Sequence, residues 1–335
     1  MSTIKDVAKL AGVSTSTVSR AISQRVFVEE ETRQKVLRAV EELGYQPNMF
    51  AKALKDGRTN TIAFLIPDIN SLFYPEVMKS IERYASEKGY STILCNNNED
   101  IQKEKQTMKM LLNRRVDGIL CMSVEDDVSH WAQFQRESDI PVVLVNRSVS
   151  DGISCVSIDN EYGGYLMTKA LLERGHVKIA GMFGDFGRQR FRDRYLGCRR
   201  AMEEFGIQDY KRYFIYDVDT VEEAYQRTLE MLEREDRPTA MFASMDILAI
   251  GAYQAFYKKG LSIPEDISVA GFDNIYMTRY MMPPLTTYAA PIQALAEKSV
   301  DCLLELMRDK NQVFHEVLRG ELLERDSTRR VNIQE

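Results

Sequence analysis

Apolar positions in the first 45 residues recur at helical spacing. Val7, Leu10 and Ala11 mark one stripe, Val18, Ala21 and Ile22 a second, and Thr32, Val36, Ala39, Val40 and Leu43 a third. Thr3 with Asp6 three residues on has the spacing of a capping box, Asp standing for Glu. Gly12 permits a sharp turn, Ser14 suits the start of the second helix, and Gly44 suits the end of the third. Pro47 opens a fourth helical stretch that runs to Lys55, about two turns and so marginal alone in water. A polar linker, 56–60, follows. From Thr61 the pattern changes to apolar runs of strand length at 61–67, 91–95, 118–122, 142–145, 155–158, 179–183, 214–216, 240–243 and 268–271. Helix-length amphipathic stretches separate most of them, at 75–88, 102–114, 162–174, 195–205, 220–234 and 245–259. Such alternation predicts parallel, doubly wound α/β layers.

The second helix carries the first chemical signal. Opposite its apolar stripe stand Thr15, Ser16, Ser19 and Arg20, short hydroxyls and one guanidinium able to approach base edges and phosphates closely. A helix-turn-helix that reads DNA has this form, although a helical hairpin with hydroxyl caps would share the pattern.

Composition sharpens the picture. A chain of 335 residues with 44% hydrophobic content supports two or three domains with real cores. The net charge of −6 is unevenly spread: residues 1–60 hold ten Lys and Arg against seven Asp and Glu, so the body is acidic. A basic head on an acidic body suits DNA contact through a small surface. Cys95, Cys121, Cys155, Cys198 and Cys302 are odd in number and read as reduced core residues. His130, His176 and His315 lie far apart without metal-ligand spacing, so neither a metal nor another cofactor is expected. His176 reads as a helix-to-strand turn residue. Gly181, Gly184 and Gly187 lack the dinucleotide fingerprint and read as a flexible loop. With no nucleophile elbow or triad, an enzyme is not expected. Neither a signal peptide nor a membrane-length apolar run is evident, which points to the cytoplasm and away from a membrane.

Three separated motifs carry a family resemblance: the segment from Thr3 to Arg20, the run Tyr45-Gln46-Pro47-Asn48 with Ala51-Lys52-Ala53-Leu54, and Leu323-Glu324-Arg325-Asp326-Ser327-Thr328. Together they resemble the lactose-repressor (LacI/GalR) family over essentially the whole chain. The resemblance implies an N-terminal all-α helix-turn-helix domain (1–45), a hinge helix and linker (46–60), and an α/β two-lobed periplasmic-binding-protein-like domain for effector binding and dimerisation (61–335). It places one lobe at about 61–159 and 289–319 and the other at about 160–288 and 320–335. The expected function is a DNA-binding transcription regulator, a homodimeric repressor on a palindromic double-stranded operator, controlled by a small-molecule effector with sugar as the default. Thr15 and Ser16 would face base edges and Arg20 a base or phosphate, with Thr3, Ser14, Thr17, Ser19, Tyr45 and Asn48 on the backbone. Leu54 would wedge into the minor groove, flanked by Lys52 and Lys55.

In that frame Phe73, Tyr74, Asn146, Arg147, Arg194, Asp246 and Asp273 fall near strand ends at the inter-lobe cleft and are the candidate effector residues. Arg194 and Asp273 are expected to face each other across the cleft, where they would bind ligand or pair as a salt bridge. Two departures from the family, Met245 for an Asn and Ala290 for a Gln, remove amides that commonly bond sugar hydroxyls. Two rival readings stay open, a ligand sensor without operator recognition and a sugar-modifying enzyme. With no apolar heptad tail after Thr328, a dimer is expected in preference to a tetramer.

Overall fold

The computed structural model describes residues 2–23, 27–45, 58–147 and 152–331. The chain divides into two compact units, Met1–Thr59 and Asn60–Glu335. In the first, α1 (Ile4–Ala11), α2 (Thr15–Ser23) and α3 (Glu30–Glu42) enclose Val7, Ala8, Val18, Ala21, Val36 and Ala39. Leu10, expected on the inner stripe, is 47% exposed. The face of α1 that turns inward carries Ile4, Val7, Ala8 and Ala11, and Leu10 lies roughly a third of a turn away from it. Gly12, at φ +68°, lets the Val13 amide bond back to Ala8 O at 3.0 Å. At the end of α3, Gly44 takes φ +55° and the Tyr45 amide reaches Val40 O at 2.9 Å, a Schellman closure that only a left-handed residue permits.

The second unit contains two six-stranded sheets. One is built from β1 (Thr61–Ile66), β2 (Ser91–Asn96), β3 (Gly118–Cys121), β4 (Val142–Val145), β5 (Ser154–Ile158) and, last in sequence, β11 (His315–Leu318), in the order β11-β5-β4-β3-β1-β2, all parallel. The other joins β6 (Ile179–Met182), β7 (Phe214–Ile215), β8 (Ala240–Ala243), β9 (Ser268–Asp273), β10 (Thr286–Ala289) and β12 (Glu321–Leu323), in the order β12-β10-β9-β8-β6-β7, antiparallel only at β12. β3, β4 and β8 are buried throughout, as continuous apolar runs covered on both faces should be.

Helices fill the crossovers: α4 (Tyr74–Glu87), α5 (Ile101–Arg114) and α6 (Ser129–Ser138) in the first lobe, and α7 (Asn160–Leu172), α8 (Gln189–Glu204), α9 (Val221–Leu232) and α10 (Asp246–Lys258) in the second. α11 (Ile292–Leu306) follows the second sheet in sequence yet packs on α4 and on β3, β4 and β5 of the first. The chain thus passes between lobes beside Asp159, Ala290 and Arg319. These passages are bonded to one another: Arg319 Nε donates to Asp159 Oδ2 at 2.9 Å, and the Gly320 amide to the Tyr288 hydroxyl at 2.5 Å.

Some elements differ from the sequence reading. The helix read at 195–205 begins at Gln189, which places the preceding arginines on its first turns. Gly181 belongs to β6 and not to a loop, its missing side chain making room for the Phe183 ring, 2.6 Å from where a Cβ would stand. α6, α11 and β10 to β12 go beyond the elements read from the pattern. All five cysteines are buried, and none of them forms a disulfide.

Candidate functional site

On the head, the start of α2 presents its hydroxyls outward. Ser14, Thr15, Ser16 and Arg20 are exposed, while Thr17 and Ser19 are half-buried. Ser14 Oγ accepts the Thr17 amide at 3.2 Å and contacts the Ser16 and Thr17 hydroxyls at 2.7 and 2.9 Å. It therefore acts first as the helix cap. Thr3 donates both its amide and its hydroxyl to Asp6 Oδ2, at 2.8 and 2.7 Å, and those bonds hold the Asp6 carboxyl below its usual range. Tyr45 is half-buried against the three-helix core. Asn48, Lys52, Leu54 and Lys55, with the hinge helix expected at 47–55, lie outside the described residues.

In the body, a cavity of about 460 Å³, its mouth included, opens between the carboxyl ends of the two sheets. Its apolar wall consists of Phe73 and Tyr74 from the first lobe and Phe191, Met245, Ile247 and Ile275 from the second. Its polar wall is Ser71, Asn146 and Arg147 opposite Arg190, Arg194 and Asp273. Six of the seven candidate effector residues meet here. Asp246 does not. It is fully buried behind Gly271, where a Cβ would lie 2.2 Å from Asp246 Oδ1. Its two oxygens accept the Thr287 hydroxyl at 2.7 Å and the Ile275 amide at 2.9 Å, so it braces the loop after β9 from below. Burial and the neighbouring Asp273 carboxylate push the Asp246 carboxyl well up.

Arg194 and Asp273 stand on the same lobe and not across the cleft from each other. Arg194 Nη2 donates to Asp273 Oδ1 at 3.2 Å, Nε to Asn160 Oδ1 at 2.9 Å and Nη1 to Ser244 O at 2.5 Å. Its guanidinium lies 3.6 Å from the Phe272 ring centroid. Burial pushes Asp273 up to about 6, against the pull of Arg194. The backbone here is held in the left-handed region without glycine, at φ +114° for Asp273, +58° for Asn274 and +53° for Asn146. Strain of that kind persists where surrounding bonds fix it, commonly at functional sites.

The lobes are clasped at the rim. Asp126, in the loop before α6, accepts the Gln189 amide at 2.5 Å and Arg192 Nη2 at 3.1 Å, capping α8 of the opposite lobe. Arg188 pairs with Glu99, and the Tyr276 amide donates to Glu76 Oε1 at 2.7 Å.

Comparison with known proteins meets this geometry at both ends. Residues 3–48 match the family described as bacterial regulatory proteins, lacI family, and residues 168–328 match a periplasmic binding protein-like domain. An HTH-type transcriptional repressor PurR of Vibrio atlanticus (strain LGP32) is 40% identical, covering 99% of this chain and 100% of its own length. This chain belongs to the lacI family of bacterial regulatory proteins. A lac repressor dimer bound to operator and the anti-inducer ONPF superposes with a TM-score of 0.88 at 28% identity, over 98% of this chain and 99% of its own. A complex of the transcriptional regulator CelR with cellobiose gives 0.74 at 28% identity, over 98% and 100%.

Three arginines, Arg147, Arg190 and Arg194, line the cleft. Sequence reasoning missed Arg190, and with it the clasp through Arg188 and Arg192. The signal was present in Arg188-Gln189-Arg190-Phe191-Arg192-Asp193-Arg194, where every second residue is arginine. Among the described residues no helix is long and apolar enough to cross a membrane, and no group of three or more His, Cys, Asp or Glu could hold a metal ion.

Proposed function

We propose that this chain is a cytoplasmic homodimeric repressor, without enzymatic activity, whose operator affinity is set by a small molecule bound between the lobes. The observation that carries the reading is the two-faced second helix of the head. Val18 and Ala21 are buried in the three-helix core, while Thr15, Ser16 and Arg20 are exposed on the other side. Thr15 and Ser16 would read base edges and Arg20 a base or phosphate. Thr3, Ser14, Thr17, Ser19, Tyr45 and Asn48 would hold the phosphate backbone, which positions without specifying sequence. Leu54, between Lys52 and Lys55, would enter the minor groove from the hinge segment. Phe73, Tyr74, Asn146, Arg147, Arg194 and Asp273 would contact the effector.

The clasp suggests how the two sites communicate. A ligand that fills the cavity adds contacts to both lobes, and the closed arrangement gains whatever the open one lacks. About 1–3 kcal/mol of coupling changes operator affinity 5- to 150-fold. Selection of random duplexes by the purified full-length protein, followed by sequencing, tests the reading. A palindromic motif supports a dimeric repressor. Loss of enrichment in Arg20→Ala would assign the recognition to α2. Failure to enrich any motif, with and without a metabolite extract, would refute operator recognition.

A further inference from the structure

The polar wall of the cavity is unbalanced. Arg147, Arg190 and Arg194 line it against a single carboxylate, Asp273, which Arg194 already holds. Among the described residues neither Arg147 nor Arg190 forms an ion pair. Arg147 is only 7% exposed, and its Nη atoms donate to backbone carbonyls of its own lobe, Asn146 O and Ser123 O. Carbonyl oxygens satisfy donors without cancelling charge. Arg147 Nε and Arg190 Nη1 are buried and have no hydrogen-bond partner. The two guanidinium groups come from opposite lobes and oppose each other electrostatically; Arg190 is the charge that most disfavours the charged form of Arg147. A second recess of about 300 Å³ shares Asn146, Arg147 and Arg190 and adds Asp126 and Asp193. Asp126 is occupied by the Gln189 amide and Arg192, and burial pushes Asp193 up to about 6. Both carboxylates lie outside the lining of the main cavity, and Asp126 offsets the Arg147 charge by less than Arg190 opposes it. The rest of that wall is apolar and partly aromatic, with Phe191 stacked 4.4 Å from the Arg190 guanidinium.

Resting on the reading of this cleft as the effector site, we infer that its ligand is a small organic anion, a carboxylate or phosphate on an apolar, ring-sized body, received between Arg147 of one lobe and Arg190 of the other. The anionic oxygens meet the two donors that lack partners, and the ring lies against Phe73, Phe191 and Ile275. A neutral polyol fits this wall poorly. It leaves two guanidinium charges facing each other and sets hydroxyls against Met245 and Ile247. The same geometry couples charge to closure. An anion between the lobes replaces a like-charge repulsion with two attractions, which adds to the rim clasp.

Calorimetric titration of the full-length protein with phenyl phosphate and benzoate, and with benzamide as neutral counterpart of benzoate, tests the assignment at constant ionic strength and millimolar probe. Saturable binding of either anion with none by benzamide is the expected result. Arg190→Gln should weaken anion binding about 10- to 100-fold. Arg190→Lys, which keeps the charge, should recover part of that loss. Thermal melts establish that both variants fold. Equal binding of benzamide and benzoate, no binding of either anion, or unchanged affinity in a folded Arg190→Gln would overturn the assignment. Operator affinity of the same preparation, measured by fluorescence anisotropy without probe, judges the DNA-binding reading separately. Loss of operator binding with anion selectivity intact would sink that reading and leave the anion site standing.

Discussion

Replacing Asp126 with alanine removes the side chain that ties the two lobes together at the start of α8. The carboxylate accepts two hydrogen bonds from the opposite lobe, from the Gln189 amide and from Arg192. Bonds to a charged group contribute about 1.5–3 kcal/mol each when well shielded. Here the Asp126 side chain is 27% exposed and Arg192 41%, so the solvent-screened sum is about 2 kcal/mol. That corresponds to roughly a 30-fold rise in local opening. The Gln189 amide is one of the first-turn donors that a helix cannot satisfy internally, so its protection reports the clasp directly. Hydrogen exchange of peptides covering 184–196, followed by mass spectrometry, should show amides at the start of α8 exchanging about 10- to 30-fold faster in Asp126→Ala. Peptides from α9 and α10 of the same lobe should be unchanged. Asp126→Asn should fall between, since one neutral acceptor remains. If exchange at 189–192 in Asp126→Ala matched the unaltered protein, the clasp would not be what holds this helix to the first lobe.

Three other expectations follow from buried contacts. Glu104 is fully buried and accepts from Ser123 Oγ, the Val124 amide, Trp131 Nε1, Asn97 Nδ2 and His130 Nε2, bonds that outweigh burial and keep its carboxyl below the usual range. Glu104→Gln turns one acceptor into a donor facing donors and should destabilise by about 3 kcal/mol or more, lowering Tm by roughly 6–12 °C; a shift under about 2 °C would contradict this account. In Gly197→Ala the new methyl would stand 1.9 Å from Glu161 O and 2.6 Å from the Tyr165 amide, backbone atoms of α7 that cannot swing aside. The helices must part, at about 1–3 kcal/mol, and an undiminished Tm would show the contact to be softer than drawn. Asp193 has its folded value raised from 3.8 to about 6, chiefly by burial, so its contribution is favourable at low pH and is lost as pH rises through 6. Discounted for its half-exposure, Asp193→Asn should therefore stabilise by about 1 kcal/mol at neutral pH, with the advantage shrinking as pH falls toward 3.8; melts showing a pH-independent gain would rule this cause out.

Legibility in the sequence tracked how strongly one physical pattern dominated each segment. β1, β3, β4 and β8 stood out because strands covered on both faces are continuous apolar runs. β11 and β12 escaped notice as half-exposed edge strands of four and three residues, too short to alternate convincingly. α6 has a mostly polar sequence whose inward face is little more than Trp131 and Ala132. Phe73, Asn146, Arg147 and Asp273 could be placed at the cavity because they sit within a few residues of strand ends, where α/β sheets hold ligands. Asp246 occupies an equivalent place in the sequence and lies beneath the wall, a distinction set by Gly271 on the neighbouring strand. Arg190 lay outside every element read from the pattern, because the helix that carries it was read from Tyr195 and begins at Gln189. The charge imbalance around it exists only once both lobes are assembled.

The interleaving of the lobes bears on how the protein is made. α11 and β11 belong to the first lobe but emerge from the ribosome after the last parallel strand of the second. Until they arrive, the face of α4 that carries Val77, Ile81 and Ala85 lacks Leu295, Val300 and Leu303, and β5 is an open sheet edge. The nascent chain therefore holds an unfinished, adhesive first lobe through the synthesis of more than a hundred residues, from β5 to α11. Messages truncated before α11 should yield aggregates and not half-proteins, and dependence on holding chaperones should be greatest during that interval.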